Sequence, residues 1–120
     1  MIRTLTFFSV LITTALLTTT SCNKHNVDNW RTIKKLHKTY KNGEINECQL
    51  NGETVYSAAL NATDSGNRIF DIDGNQIGDC NYAWGTVDPM CGELQDCETI
   101  YRIEDNIWGR PHVDKYDLGN

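Results

Sequence analysis

Three aspartates within nine residues, Asp71, Asp73 and Asp79 in the stretch FDIDGNQIGDC (70–80), have the chemistry and crowding of a calcium loop. The helix–loop–helix calcium site takes oxygen ligands at loop positions 1, 3 and 5, glycine at 6 and a bidentate glutamate at 12. With Gly74 at position 6, Asp71 and Asp73 fall at 3 and 5. Position 1 is then Ile69 and position 12 is Cys80, neither of which offers a side-chain oxygen. A looser metal site on Asp71, Asp73 and Asp79 competes with a plainer reading. In that reading RIFDI and NQIG are short strands and Asp73-Gly74 supplies the turn between them. The turn is preferred, and neither metal nor other cofactor is expected.

The remaining reactive residues are sparse. Histidines stand at 25, 37 and 112, and His112 with Asp114 is too small a set to hold a metal. No G-x-S-x-G, H-E-x-x-H, P-loop or dinucleotide fingerprint occurs. Cys91 and Cys97 lack the close spacing of common zinc sites. The carboxylates are spread along the chain as a solvated acidic surface would be. No catalytic residue is expected, and the chain reads as a non-catalytic binding or accessory protein. The alternative is a small exported hydrolase or metal-dependent enzyme, which a polar cleft around His112 or a carboxylate cluster would favour.

The cysteines gain meaning from the N-terminus. Arg3 is the only charge before Lys24, and LTFFSVLITTALL (5–17) is a mostly apolar run followed by TTTSC. A basic start, an apolar stretch of this length and a small-residue exit make a secretory signal peptide over 1–21. The run is too short to span a bilayer, which takes roughly 20 residues. Ser21-Cys22 resembles a bacterial lipobox, with Thr19 where that motif usually has Leu. The expectation is lipidation at Cys22, a tether over 22–27 and a cell-envelope location, on the outer membrane's periplasmic or surface face. Plain secretion with an incidental Cys22 is the alternative. Of five cysteines, lipidation of Cys22 leaves Cys48, Cys80, Cys91 and Cys97, an even set that reads as two disulfides in an oxidising compartment. Three pairings are open; Cys91–Cys97 with Cys48–Cys80 is slightly preferred because it keeps one bridge local.

The elements that would position these groups form one small domain over 28–120, of α+β class. An N-terminal amphipathic helix is expected in DNWRTIKKLHKTYKNG. Asp28 caps it, Trp30, Ile33, Leu36, His37 and Tyr40 share an apolar face, and Asn42-Gly43 stops it. His37 sits at the edge of that face and reads as a packing residue. A small antiparallel sheet of hairpins follows, stapled by disulfides. Asn51-Gly52 predicts a two-residue turn, placing Leu50 opposite Glu53, Cys48 opposite Val55 and Glu47 opposite Tyr56. ETIYRIEDNIW (98–108) predicts a further strand, and the tail beyond Pro111 shows little periodicity. Charge divides along the chain: residues 22–43 carry +5 and residues 44–120 carry −11. A basic segment beside a lipid anchor can rest on anionic head groups, although a helix packed beside an acidic body is the blander reading. Nucleic acid is a poor partner for so acidic a domain.

Between about 43 and 97, the VY pair at 55–56, the FDIDGNQIGDC hairpin and the Gly/Asp-rich run to Cys97 resemble small uncharacterised lipoproteins of Bacteroidota. Those proteins carry a domain of unknown function with a VY strand, a YDxDGxxIC-like hairpin and a C-terminal cysteine. Here Gly78-Asp79 separate Ile77 from Cys80, and the paired cysteines in the middle of that domain are missing. The resemblance implies an envelope lipoprotein and no particular activity. For binding an envelope protein, the candidate residues are Tyr82, Trp84, Met90 and Trp108. An aromatic side chain on a disulfide-held loop is a ready anchor, set against the alternative that Trp84 caps a small core.

Overall fold

The computed structural model describes residues 29–119. The expected leader, the lipidation site at Cys22, the tether and the Asp28 cap lie outside those residues. Among the described residues no helix is long and apolar enough to cross a membrane.

A single α-helix, α1 (Trp30–Tyr40), precedes seven strands: β1 (Gly43–Leu50), β2 (Glu53–Leu60), β3 (Asn67–Phe70), β4 (Gln76–Asn81), β5 (Thr86–Val87), β6 (Gln95–Arg102) and β7 (Val113–Asp114). The strands form one antiparallel sheet in the order β5-β4-β3-β2-β1-β6-β7. Ile33, Leu36 and Tyr40 recur at three- and four-residue steps and are buried, which fixes the inner face of α1. The N-cap position is Asn29, in the left-handed conformation at φ 64° and without a side-chain cap.

The β1–β2 hairpin has the register that a two-residue turn dictates, with Leu50 opposite Glu53, Cys48 opposite Val55 and Glu47 opposite Tyr56. Asn51 and Gly52 both hold positive φ, 51° and 81°, as a type I′ turn requires. At the other end of β1 the chain passes so close to β2 that a Cβ on Gly43 would lie 2.0 Å from the Ala59 carbonyl oxygen.

Alternation along the strands separates two packed layers. Ile45, Tyr56, Ala58, Ile100 and Tyr101 meet the helix residues Ile33, Leu36 and Tyr40 on one face. On the other face Cys48, Val55, Ile69 and Cys80 are covered by Met90, Cys91 and Leu94, carried by the segment between β5 and β6. Beyond them on that face Glu44 and Arg102 form a buried ion pair at 2.9 Å, with side chains 9 % exposed. Thr99 Oγ1 accepts from Arg102 Nη2 at 3.1 Å and donates to Asn46 Oδ1 at 2.7 Å.

Both disulfides exist, with a connectivity different from the preferred one: Cys48–Cys97 and Cys80–Cys91. β6 returns along β1, so Cys48 and Cys97 meet across neighbouring strands with Cα atoms 4.1 Å apart, where the register slips between Glu47 and Gln49. Cys91 sits on a 3-10 turn (Pro89–Gly92) that folds under β4 and reaches Cys80 instead of Cys97. The tail is also more organised than its lack of periodicity suggests. β7 pairs with the end of β6, and Tyr116 and Leu118 pack against the helix-side core. The strand expected over 98–108 stops at Arg102; its outer half becomes a loop.

Candidate functional site

The antiparallel order brings the β2–β3, β4–β5 and β6–β7 connections to one end of the sheet, together with the start of β1. Each of these connections is held by asparagines. Asn81 closes the β4–β5 connection: its Oδ1 accepts from Trp84 N at 3.3 Å and its Nδ2 donates to the Asp64 carbonyl at 3.1 Å. A 3-10 turn (Tyr82–Trp84) results, ended by Gly85 at φ 72°. It lifts both rings out of the protein, leaving Tyr82 71 % and Trp84 76 % exposed. Trp84 therefore does not cap the core.

Asn106 organises the β6–β7 loop from within. Its Nδ2 donates to the carbonyls of Ile103 and Arg110, both at 2.8 Å, and its Oδ1 accepts from Arg110 N at 3.0 Å. Asn61 Oδ1 accepts from Ile107 N at 2.8 Å and ties this loop to the one after β2. Between the two loops opens a shallow cleft of about 420 Å³, walled by half-buried Trp108, exposed Ile107, Ala59, Asp64 and Asn67. Ala59 and Asn67 lie on the face of the sheet opposite α1, so the cleft opens on that side.

The four aromatic and sulfur candidates are thus divided. Tyr82 and Trp84 share one exposed turn, Trp108 lines the cleft at the same end of the sheet, and Met90 belongs to the disulfide-side core. A Cβ on Gly78 would fall 2.5 Å from Met90 Sδ, so that thioether fills the space over β4 and is a packing residue.

The aspartates serve the hairpin. Asp71 Oδ1 accepts from the backbone N–H groups of Asp73 at 3.0 Å and Asn75 at 2.9 Å, closing the turn that Gly74 allows at φ 84°. Those bonds, the Asn75 N–H foremost, hold the Asp71 carboxyl below its ordinary pKa. Asp79 lies in β4 opposite Arg68, with its N–H bonded to the Asp88 carboxylate at 2.7 Å. Among the described residues no group of three His, Cys, Asp or Glu is disposed to hold a metal.

Two histidines have structural surroundings. His37 meets the Tyr101 ring edge-on at 4.7 Å between centroids, and burial pushes its pKa down. His112 Nδ1 lies 2.7 Å from the Arg102 carbonyl oxygen. Asp114 accepts from the backbone N–H groups of Leu118 at 2.7 Å and Gly119 at 2.8 Å.

Sequence reasoning missed Asn61, Asn81 and Asn106, which shape this end of the molecule. Asparagine at a strand terminus is the available signal, since its amide both accepts and donates in tight turns. Comparison with protein families, curated proteins and solved structures gives no match.

Proposed function

We propose that the protein is a lipid-anchored cell-envelope binding or accessory protein without catalytic activity, and that the Tyr82–Trp84 turn is its contact surface. The observation that carries the reading is the exposure of Tyr82 and Trp84 on a turn bonded at both its ends. Two large aromatics held in water by a rigid turn lose little conformational entropy on binding, which is what makes Tyr and Trp anchors of interfaces. The Cys80–Cys91 bridge stiffens the strand that enters the turn. Ile107 and Trp108, at the same end of the sheet, extend the apolar surface available to a partner. Two disulfides support an oxidising, extracytoplasmic location. Lipidation at Cys22 is supported by the SC exit after the apolar run and by cysteine parity.

The contact surface is tested by installing a photo-crosslinking amino acid at Tyr82 in the full chain expressed in its native envelope. A discrete adduct is expected, lost in Trp84→Ala while the unfolding free energy stays within about 0.5 kcal/mol of the parent, as for an exposed side chain. Absence of any adduct, or an adduct indifferent to Trp84→Ala, refutes it. Intact mass with and without acyl chains on Cys22 tests the anchor separately.

A further inference from the structure

We propose that the outer face of α1 docks flat on an anionic bilayer, so that the cleft on the opposite face of the sheet points away from the membrane. The inference rests on the envelope-anchored reading above for its setting, and on the charge geometry of α1 for its substance. Arg31, Lys34, Lys35 and Lys38 follow the i, i+3, i+4, i+7 spacing of one helical stripe, and Lys41 extends it by three residues. All five are exposed, because Ile33, Leu36 and Tyr40 turn the other side of the helix onto the sheet. At a rise of about 1.5 Å per residue the cationic strip is about 15 Å long.

No ion pair among the described residues neutralises it, although the Lys35 side chain lies along the Asp73-Gly74 turn, its Nζ 3.6 Å from where a Cβ on Gly74 would sit. The ion pairs among the described residues are Glu44–Arg102 and Glu98–Lys115, neither of which involves the helix. No acidic residue stands in the first turn of α1, and none occurs between Asn29 and Gly43. The acidic residues lie in the strands and loops; Lys35 flanks the Asp73-Gly74 turn, and Arg31, Lys34, Lys38 and Lys41 present their cations to solvent. The flat, dense negative charge of a lipid surface complements a strip of this shape.

The sequence ahead of the helix supplies the reason to choose a bilayer over a soluble polyanion. Cys22 stands eight residues before Trp30, so a fully extended connection spans at most about 29 Å. A lipid on Cys22 would therefore hold α1 within reach of the surface at high effective concentration. The acidic remainder of the chain is repelled by the same surface, which selects the orientation with α1 beneath and the cleft outward.

The test uses the processed protein reconstituted into vesicles of phosphatidylglycerol mixed with phosphatidylcholine, or of phosphatidylcholine alone. A water-soluble acylating reagent reports each lysine by peptide mass. Lys34, Lys35 and Lys38 should react several-fold more slowly on the anionic vesicles. Lys115, paired with Glu98 at 2.9 Å, should react alike on both. Raising salt from about 0.1 M to about 1 M shortens the screening length from about 10 Å to about 3 Å and should remove the difference. The triple variant Arg31→Gln/Lys34→Gln/Lys35→Gln keeps Lys38 as reporter. Each lost cation weakens surface association about fivefold, so the protection of Lys38 should vanish.

Equal reactivity on both vesicle types overturns the proposal. Protection already present on neutral vesicles also overturns it, and points to a protein surface over the helix. If the intact mass shows no acyl chain, the anchor reading fails alone. The same chain added to preformed vesicles then decides the face: sedimentation with anionic but not neutral vesicles upholds it, and sedimentation with neither overturns it.

Discussion

Removing the two disulfides one at a time should cost unequal amounts. Cys48–Cys97 spans a separation of 49 residues, and Cys80–Cys91 one of 11. If each bridge acts by restricting the unfolded chain, loop-closure entropy gives about 4 kcal/mol for the long bridge and about 3 kcal/mol for the short one. A domain of this size has about 5–15 kcal/mol of stability in all, so either loss is a large fraction. The variants are Cys48→Ala/Cys97→Ala and Cys80→Ala/Cys91→Ala, unfolded in urea and followed by tryptophan fluorescence. With a slope of about 1 kcal/mol per molar, the midpoint should fall by about 4 M in the first and about 3 M in the second. Burial does not reverse the order, because each bridge joins one buried cysteine, Cys48 or Cys80, to a more exposed partner. A larger loss from the short bridge would refute the reasoning. It would mean that the layer formed by Met90, Cys91 and Leu94 sets the stability, rather than the freedom of the unfolded chain.

Glu44→Gln should destabilise by about 3 kcal/mol in the same assay, at the low end for breaking a buried pair, because Arg102 keeps bonds to Thr99 Oγ1 and the Pro111 carbonyl. Replacing both partners, Glu44→Leu/Arg102→Met, should cost less than the single change, and a loss under about 1 kcal/mol in Glu44→Gln would show that the pair is not desolvated in solution. His37 carries a pH dependence of definite sign: burial lowers its folded pKa below the unfolded value near 6.5, opposed by the Asp114 charge and reinforced by Lys41. The unfolded chain then binds the proton first, so stability falls as pH drops through about 6.5 towards the lower folded pKa. Urea midpoints at neutral and mildly acidic pH should differ more in the parent than in His37→Gln, and an equal difference in both would remove His37 from the account.

Legibility from sequence followed the range of the interactions. The β1–β2 register could be read because Asn51-Gly52 determines its own turn, and the Asp73-Gly74 hairpin because Asp71 bonds only to residues within four of itself. The helix-side core could be read from the spacing of Ile33, Leu36 and Tyr40. Disulfide pairing could not, because it depends on β6 crossing back beside β1, a contact 49 residues apart in sequence. The exposure of Trp84 was equally hidden: nothing in YAWG distinguishes a ring turned into a core from one lifted out by Asn81. Met90 was misjudged for the same reason, since its place over Gly78 exists only once the Pro89–Gly92 turn has folded beneath β4.

The edges of the sheet narrow how a partner could be met. An open strand edge invites addition of a foreign strand unless charge, irregular backbone or a covering segment prevents it. Along the outer edge of β6, β7 covers Tyr101 and Arg102, and the Lys115 N–H takes the Ile100 carbonyl. Further back, Asp96 adopts φ 50°, and Lys115 Nζ lies 2.9 Å from Glu98 Oε1. At the opposite edge β5 covers Cys80 and Asn81. Asp88 then occupies both groups of Asp79, its carboxylate accepting from the Asp79 N–H and its N–H donating to the Asp79 carbonyl at 3.0 Å. Strand addition is thus obstructed on both sides. The contact surfaces proposed above, the aromatic turn with the neighbouring cleft and the cationic face of α1, would accordingly act through side chains rather than through an added strand.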